Sequence, residues 1–222
     1  MTATSPDNRY EGLRRSVFSV LPEPELRRLA GEVHESRLLA GHLLYDPEVT
    51  VVAAGLVRAF IGDGTGRQAT LAYLRGGNTL GLAHLAGRRY PVAFQAIEVS
   101  RLVVVGNERA LQLHTGHPAL SWATARELTT YLNDLESEVA SYAFGSLRQR
   151  LASHLLALTA ASDDESGGLP VHLALLVTAV GSPREVISRT LTPLTADGTL
   201  HVGPAGVTIT DRQQLRDHAN ID

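Results

Sequence analysis

Between residues 12 and 34 the apolar positions Val17, Phe18, Leu21, Leu26, Leu29, Ala30 and Val33 recur at helical spacings, so this stretch reads as amphipathic helix interrupted at Pro22 and Pro24. From about 36 to 106 the pattern changes. Short β-rich runs (LLYD, VTVVAAG, LVRAFIG, ATLAYL, PVAFQAIE and SRLVVVG) alternate with turn residues. Gly41, Gly55, Gly76-Gly77, Gly81 and Gly87 supply the punctuation, and the Gly62–Gly66 cluster marks a hairpin tip. Many short strands at regular spacing predict a β-sandwich or barrel.

After a short helical piece near 107–113, Pro118 opens a segment that runs to about 143 without glycine or internal proline. Its apolar positions Leu128, Leu132, Leu135, Val139 and Tyr142 step by 4, 3, 4 and 3, which draws one continuous stripe along a long helix. Such a stripe fits the seam of a two-helix coiled coil or a helix packed on its own domain. The coiled-coil seam is the expectation, because Arg126, Glu127, Asn133, Asp134, Glu136 and Glu138 between the apolar positions would then face water. Gly145 is a plausible hinge, and Leu147, Leu151, Leu155, Leu156 and Leu158 give a further helix over 147–160 an apolar face. An acidic, glycine-rich loop, Asp163–Gly168, separates it from helix 171–180, a tight turn at Gly181 and helix 183–192. Two strand-like pieces, Thr199–Val202 and Gly206–Ile209, follow around Gly203-Pro204-Ala205.

The stretch VTAVGSPREVISRTLTPL, residues 177–194, carries the most chemistry. Two short helices meeting at a glycine form a helix-turn-helix. Ser182 is expected to cap the second helix, with Pro183 at its first position and Glu185 completing an S-x-x-E capping box. Arg184, Glu185, Ser188 and Arg189 share one surface of that helix, while Val186, Ile187 and Leu191 can turn toward a core. Arginine grips guanine O6 and N7 with two bonds and a carboxylate accepts from cytosine N4, so this surface suits base reading in a major groove. An ordinary capped helix with solvated arginines fits the same residues.

Composition narrows the picture. A length of 222 residues, 44% of them hydrophobic and 19% charged, suits two modest domains or one large one. Cysteine is absent, which excludes disulfides, thiolate zinc, a cysteine nucleophile and a cysteine-ligated iron–sulfur cluster. The polar stretch Met1–Tyr10 lacks a signal peptide's apolar core, and no run approaches a membrane span, so a cytoplasmic protein without membrane contact is expected. Every basic side chain except histidine is arginine, a pattern that reads as GC-rich coding. Net charge is −3, and residues 146–222 hold six arginines against eight carboxylates. Since phosphate contacts supply much of DNA affinity, binding must come from a local basic face doubled by dimerisation. No clustered metal set, nucleophile–base pattern or P-loop stands out, so no enzyme is expected.

The order of these parts, from about Val17 to Leu215, resembles the CRP/FNR family of transcription regulators. Three segments carry the resemblance: GLVRAFIGDGTGRQATLAYLRGGNTLG (55–81), with the family's G-R-x-x-T-L and G-x-x-x-G pattern, LRQRLASHLLAL (147–158), and VGSPREVISRTLTPLTADGTL (180–200). It implies an α+β protein: a cyclic-nucleotide-binding-like β-roll (a double-stranded β-helix) over 12–117, a long dimerisation helix over 118–144 and a winged helix-turn-helix over 145–217. It further implies double-stranded DNA, a second copy as homodimer, RNA polymerase and a small-molecule effector as partners. Arg184, Glu185 and Arg189 would read bases with Ser188 beside them, on a palindrome with GTGA-like half-sites. There are departures. Pro183 replaces a Ser or Thr that usually touches phosphate, and Pro193 should end or kink the recognition helix early. The first helix, VHLALLVTAV, lacks the family's polar T-x-x-D/E start and has Val177 where alanine is usual. The alternative function is therefore a CRP-like sensor or protein-interaction module with weakened DNA binding.

The resemblance also speaks to the effector. Members that hold cyclic AMP grip its phosphate with a Gly-Glu pair and an Arg-Ser pair, and its adenine with a Thr-Ser pair. Here the places fall on Gly81 and Leu82, on Tyr90-Pro91, and on Leu135-Glu136. A buried phosphodiester would lack its arginine counter-charge unless Arg88 or Arg89 shifted register. Cyclic AMP is thus not the expected effector, and no cofactor is expected. Haem through His84, one residue off a relative's axial position, is a further reading ranked below a cyclic nucleotide, and Tyr90-Pro91 filling the pocket would leave a ligand-independent regulator. His34, His42, His114, His117 and His154 show no ligand spacing.

Overall fold

The computed structural model describes residues 6–66, 68–88, 91–159 and 171–220, and the chain falls into two compact units, residues 1–60 with 72–134 and residues 61–71 with 135–222. The loop Asp163–Gly168 and the pair Arg89 and Tyr90 lie outside the described residues.

The first unit opens with α1 (Pro6–Arg14), a 3-10 turn (Val17–Val20) and α2 (Glu23–Glu32). The one interrupted helix expected over 12–34 is therefore three pieces. Ser16 makes the first break by accepting the Phe18 amide on its side chain, and Pro24 lies in the first turn of α2, where its missing amide costs nothing. Eight strands follow: β1 (His34–Leu38), β2 (Leu43–Tyr45), β3 (Thr50–Ala54), β4 (Val57–Gly62), β5 (Gln68–Leu74), β6 (Thr79–Leu80), β7 (Ala93–Ala96) and β8 (Ser100–Val104). They form two four-stranded sheets, ordered β1-β8-β3-β6 and β2-β7-β4-β5. The paired registers of β1–β4 and β6–β8 are antiparallel. β1 reads HESRL and buries little, and β6 contributes only Thr79 and Leu80, so neither shows the alternation that marks a half-buried strand. A 3-10 turn (Leu82–Ala86) separates β6 from β7.

Apolar side chains of the helices cover one sheet. Leu13, Phe18, Leu26 and Leu29 pack with Val51 and Val103 and with Leu113 and Leu120 in one buried cluster. The last two lie on α3 (Asn107–Gly116) and on α4 (Pro118–Phe144), a 27-residue helix that begins in this unit and ends in the other.

The second unit holds α5 (Leu147–Thr159), α6 (Leu173–Val180), α7 (Arg184–Ala196), the two-stranded ribbon β9 (Leu200–Gly203) and β10 (Gly206–Ile209), and α8 (Arg212–Ala219). Its buried residues include Leu151, Leu155, Leu176, Ile187, Leu191, Leu194, Leu200, Ile209 and Leu215. α8 does not announce itself by apolar period, since Leu215 is its one buried residue. Its start is still written in the sequence, because Asp211 caps it by accepting the Gln214 amide at 2.9 Å. Arg212 ties it to α5 by donating to Thr159 Oγ1 at 3.1 Å.

Among the described residues no helix is long and apolar enough to cross a membrane, and no three His, Asp or Glu side chains gather as a metal set.

Candidate nucleic-acid interface

The turn between α6 and α7 is made by Gly181, whose φ of 66° lies in the left-handed region that favours glycine. Its amide and that of Ser182 both donate to the Val177 carbonyl, at 3.1 and 3.3 Å. The start of α7 differs from the expectation. Pro183 takes the N-cap place with extended backbone and no side-chain cap, so Ser182 and Glu185 form no capping box. Glu185 reaches forward instead, and its Oε1 accepts from Arg189 Nη2 at 3.1 Å, one turn on. A proline at the cap leaves the serine one place too early to meet the free amides of the first turn.

Ile187, Leu191 and Leu194 bury the inner side of α7, while Arg184, Glu185, Ser188 and Arg189 are all exposed. Val186, expected to turn inward, is exposed too. Among the described residues Arg184 has no ion pair or side-chain hydrogen bond. Its guanidinium is thus available to an external acceptor. Pro193 does not end the helix, which runs on to Ala196. Beyond it Thr199 donates through both its amide and its hydroxyl to Asp197 Oδ1, at 3.0 and 2.6 Å. These two bonds, with a lesser contribution from His218, hold the Asp197 carboxyl below its ordinary range. They fix the entry into β9.

The residues singled out for an effector are distributed as follows. Gly81, with φ of 74°, starts the 3-10 turn, and a side chain there would collide with the Pro47 and Glu48 carbonyls at 2.5 and 2.6 Å. Leu82 is buried in the apolar cluster. His84 is held, since its Nε2 stands 3.1 Å from Oδ1 of Asp46. Asp46 is the one described non-glycine residue with positive φ. Arg88 is exposed, and Leu135 and Glu136 are exposed on the part of α4 that belongs to the second unit.

Three polar features escaped the sequence reading. Glu127, expected in water, is half-buried, and its Oε1 accepts the Thr79 amide at 2.7 Å and the Tyr131 hydroxyl. Burial first, then the Glu127 charge, raise the Tyr131 hydroxyl far above the ordinary phenol range, so it remains a donor. This pair clamps α4 onto β6, the strand that leads to Gly81. Glu138, also expected in water, is half-buried, 3.9 Å from the buried His154 ring. The third feature is Arg58, which is fully buried, stacks 4.7 Å over the Phe60 ring and donates to Gln95 Oε1 at 3.4 Å. Its one signal was a lone charge inside the apolar run LVRAFIG.

Comparison with known proteins bears on both units. Residues 149–218, from α5 to α8, match the Crp-like helix-turn-helix domain. The cyclic AMP receptor protein of Thermus thermophilus is 29% identical over 171 residues, 76% of this chain and 78% of that protein. Among solved structures, a transcriptional regulator of the CRP/FNR family from Eubacterium rectale superposes with a TM-score of 0.75 at 19% identity, covering 91% of this chain and 97% of that one. The c-di-GMP-responsive global regulator CLP of Xanthomonas campestris superposes with a TM-score of 0.72 at 22% identity, over 85% and 99%. The likeness to these structures is one of fold. Joined to the matched C-terminal domain, it gives the chain the fold that the CRP/FNR regulators share.

Proposed function

We propose that the chain binds double-stranded DNA as a homodimer, laying α7 in the major groove of each arm of a palindrome with TGTGA-like half-sites. The observation that carries this is the division of α7, with Ile187, Leu191 and Leu194 buried and Arg184, Glu185, Ser188 and Arg189 turned to solvent at its N-terminal end. The Glu185–Arg189 pair presents an acceptor for cytosine beside a donor fork for guanine. For the dimer, Leu128, Leu132, Leu135 and Val139 are exposed in the single chain, a ladder of apolar residues at coiled-coil spacing with no local cover. Tyr142 is half-buried beneath Arg150, 5.1 Å from its ring, so the seam narrows there.

Gel shifts across a salt series test this reading. The palindrome should be preferred over random duplex, and affinity should fall about a thousandfold or more between about 50 and 200 mM salt if six or more phosphates are met. No preference and a flat salt response would favour the sensor or interaction module with weakened DNA binding, which the acidic balance of the C-terminal region favours.

The effector reading is that cyclic AMP is not required. Leu82 offers apolar surface where a polar partner would be needed, and it is already part of the core. Calorimetry should give no binding of cyclic AMP at micromolar concentration, and a micromolar isotherm would overturn the reading. The Asp46 contact occupies the His84 nitrogen that a haem iron would take, which supports a chain without haem.

A further inference from the structure

The tip of the β4–β5 hairpin, residues 61–71, belongs to the same compact unit as the winged helix. What holds it there is specific. A helix leaves its last carbonyls without intrahelical donors, and at the end of α6 the turn serves Val177, whose carbonyl takes the amides of Gly181 and Ser182. The Ala179 carbonyl takes its donor from 109 positions away, from the Thr70 hydroxyl at 3.0 Å. Both ends of this bond are buried, Thr70 at 1% exposure and Ala179 at 0%. One strand position back on the same face, the Gln68 carbonyl stands 3.1 Å from where a Cβ on Gly181 would lie. Glycine at the turn therefore serves twice, once for its left-handed backbone and once to let the hairpin approach.

We propose that the β4–β5 hairpin is a built-in latch on the helix-turn-helix, in which Thr70 caps α6 and release of that cap lowers DNA affinity. The proposal rests on the DNA-binding reading for its second half only. Residues 61–71 and the turn that aims Arg184 lie in one compact unit, so a change at the hairpin tip reaches that turn through the Thr70 bond itself. Thr70 touches no base; it is a positioning residue. The reading side chains remain exposed while the latch is closed, so the closed form is the one that presents them preorganised to a duplex.

Thr70→Val keeps shape and burial and removes the donor. Hydrogen exchange on the full chain should then quicken by about 5- to 100-fold at the amides of Gly181 and Ser182, as a buried carbonyl loses its partner. The amides of α5, an internal reference, should keep their rates, and palindrome affinity should fall about fivefold or more. Thr70→Ser, which retains the hydroxyl, should restore both. Unchanged exchange at the turn would overturn the latch, as would uniform quickening through α5, which is ordinary destabilisation. Quickened exchange with unchanged DNA affinity would overturn the control of binding and leave a merely structural cap. Should the wild-type chain bind no duplex at all, the DNA reading fails by itself, and the exchange comparison still decides the latch.

Discussion

Arg184→Ala should lose most of the preference for a TGTGA-armed palindrome while continuing to bind random duplex. Arg184 is exposed in the first turn of α7 and free of any intramolecular partner among the described residues, so no internal bond must be broken before it meets a base. A bidentate arginine–guanine contact is worth about 1–3 kcal/mol, or roughly 5- to 150-fold, for each half-site. Both arms of a dimer lose it together. Because the lost contact is to a base, the slope of affinity against salt should stay nearly unchanged, whereas loss of a phosphate contact would reduce it. Gel shifts with matched and scrambled duplex at two salt concentrations separate these outcomes. A variant that still discriminated the palindrome would remove Arg184 from base reading. The same series on Arg189→Ala should show a smaller change, because Arg189 already shares its charge with Glu185.

Leu132→Glu should convert a dimer into a monomer at micromolar concentration. Leu132 is 53% exposed in the single chain, so a charge there costs the chain's own fold little, and the penalty falls on whatever covers the stripe. In a parallel pair two carboxylates would face each other at one seam position, where an apolar knob should enter a hole. Loss of the second arm should weaken palindrome binding by about 100-fold or more, since the second contact would no longer be intramolecular. Sedimentation reads the first effect and gel shifts the second. A Leu132→Glu protein that still sedimented as a dimer would place the interface elsewhere.

Most of the architecture could be read from residue order because it rests on local periodicity. The runs VTVVAAG and LVRAFIG became β3 and β4, and the uninterrupted stretch after Pro118 became the 27-residue α4. What the sequence hid depended on distant partners. Glu127 looked like one more solvated charge until the Thr79 amide, 48 positions away, was brought to it. Thr70 looked like one threonine in a strand. Arg58 broke an apolar run without showing what would surround it. The capping-box expectation failed for a narrower reason: serine, proline and glutamate stood in plausible order, but the proline occupied the cap itself. The two-sided character of α7 was legible because its logic is local, two arginines, a serine and a glutamate on one side of a short helix with leucine and isoleucine on the other.

The proline inside α7 has a mechanical corollary. Residue 193 has no amide to give the carbonyl of Arg189, so one rung is missing between the turns that would touch bases and the turn that leads into the ribbon. The helix is weakest at that rung, while the Asp197–Thr199 bonds hold the turn behind it. Restoring the rung with alanine would stiffen the rod, trading accommodation of imperfect operators for tighter grip on the best one.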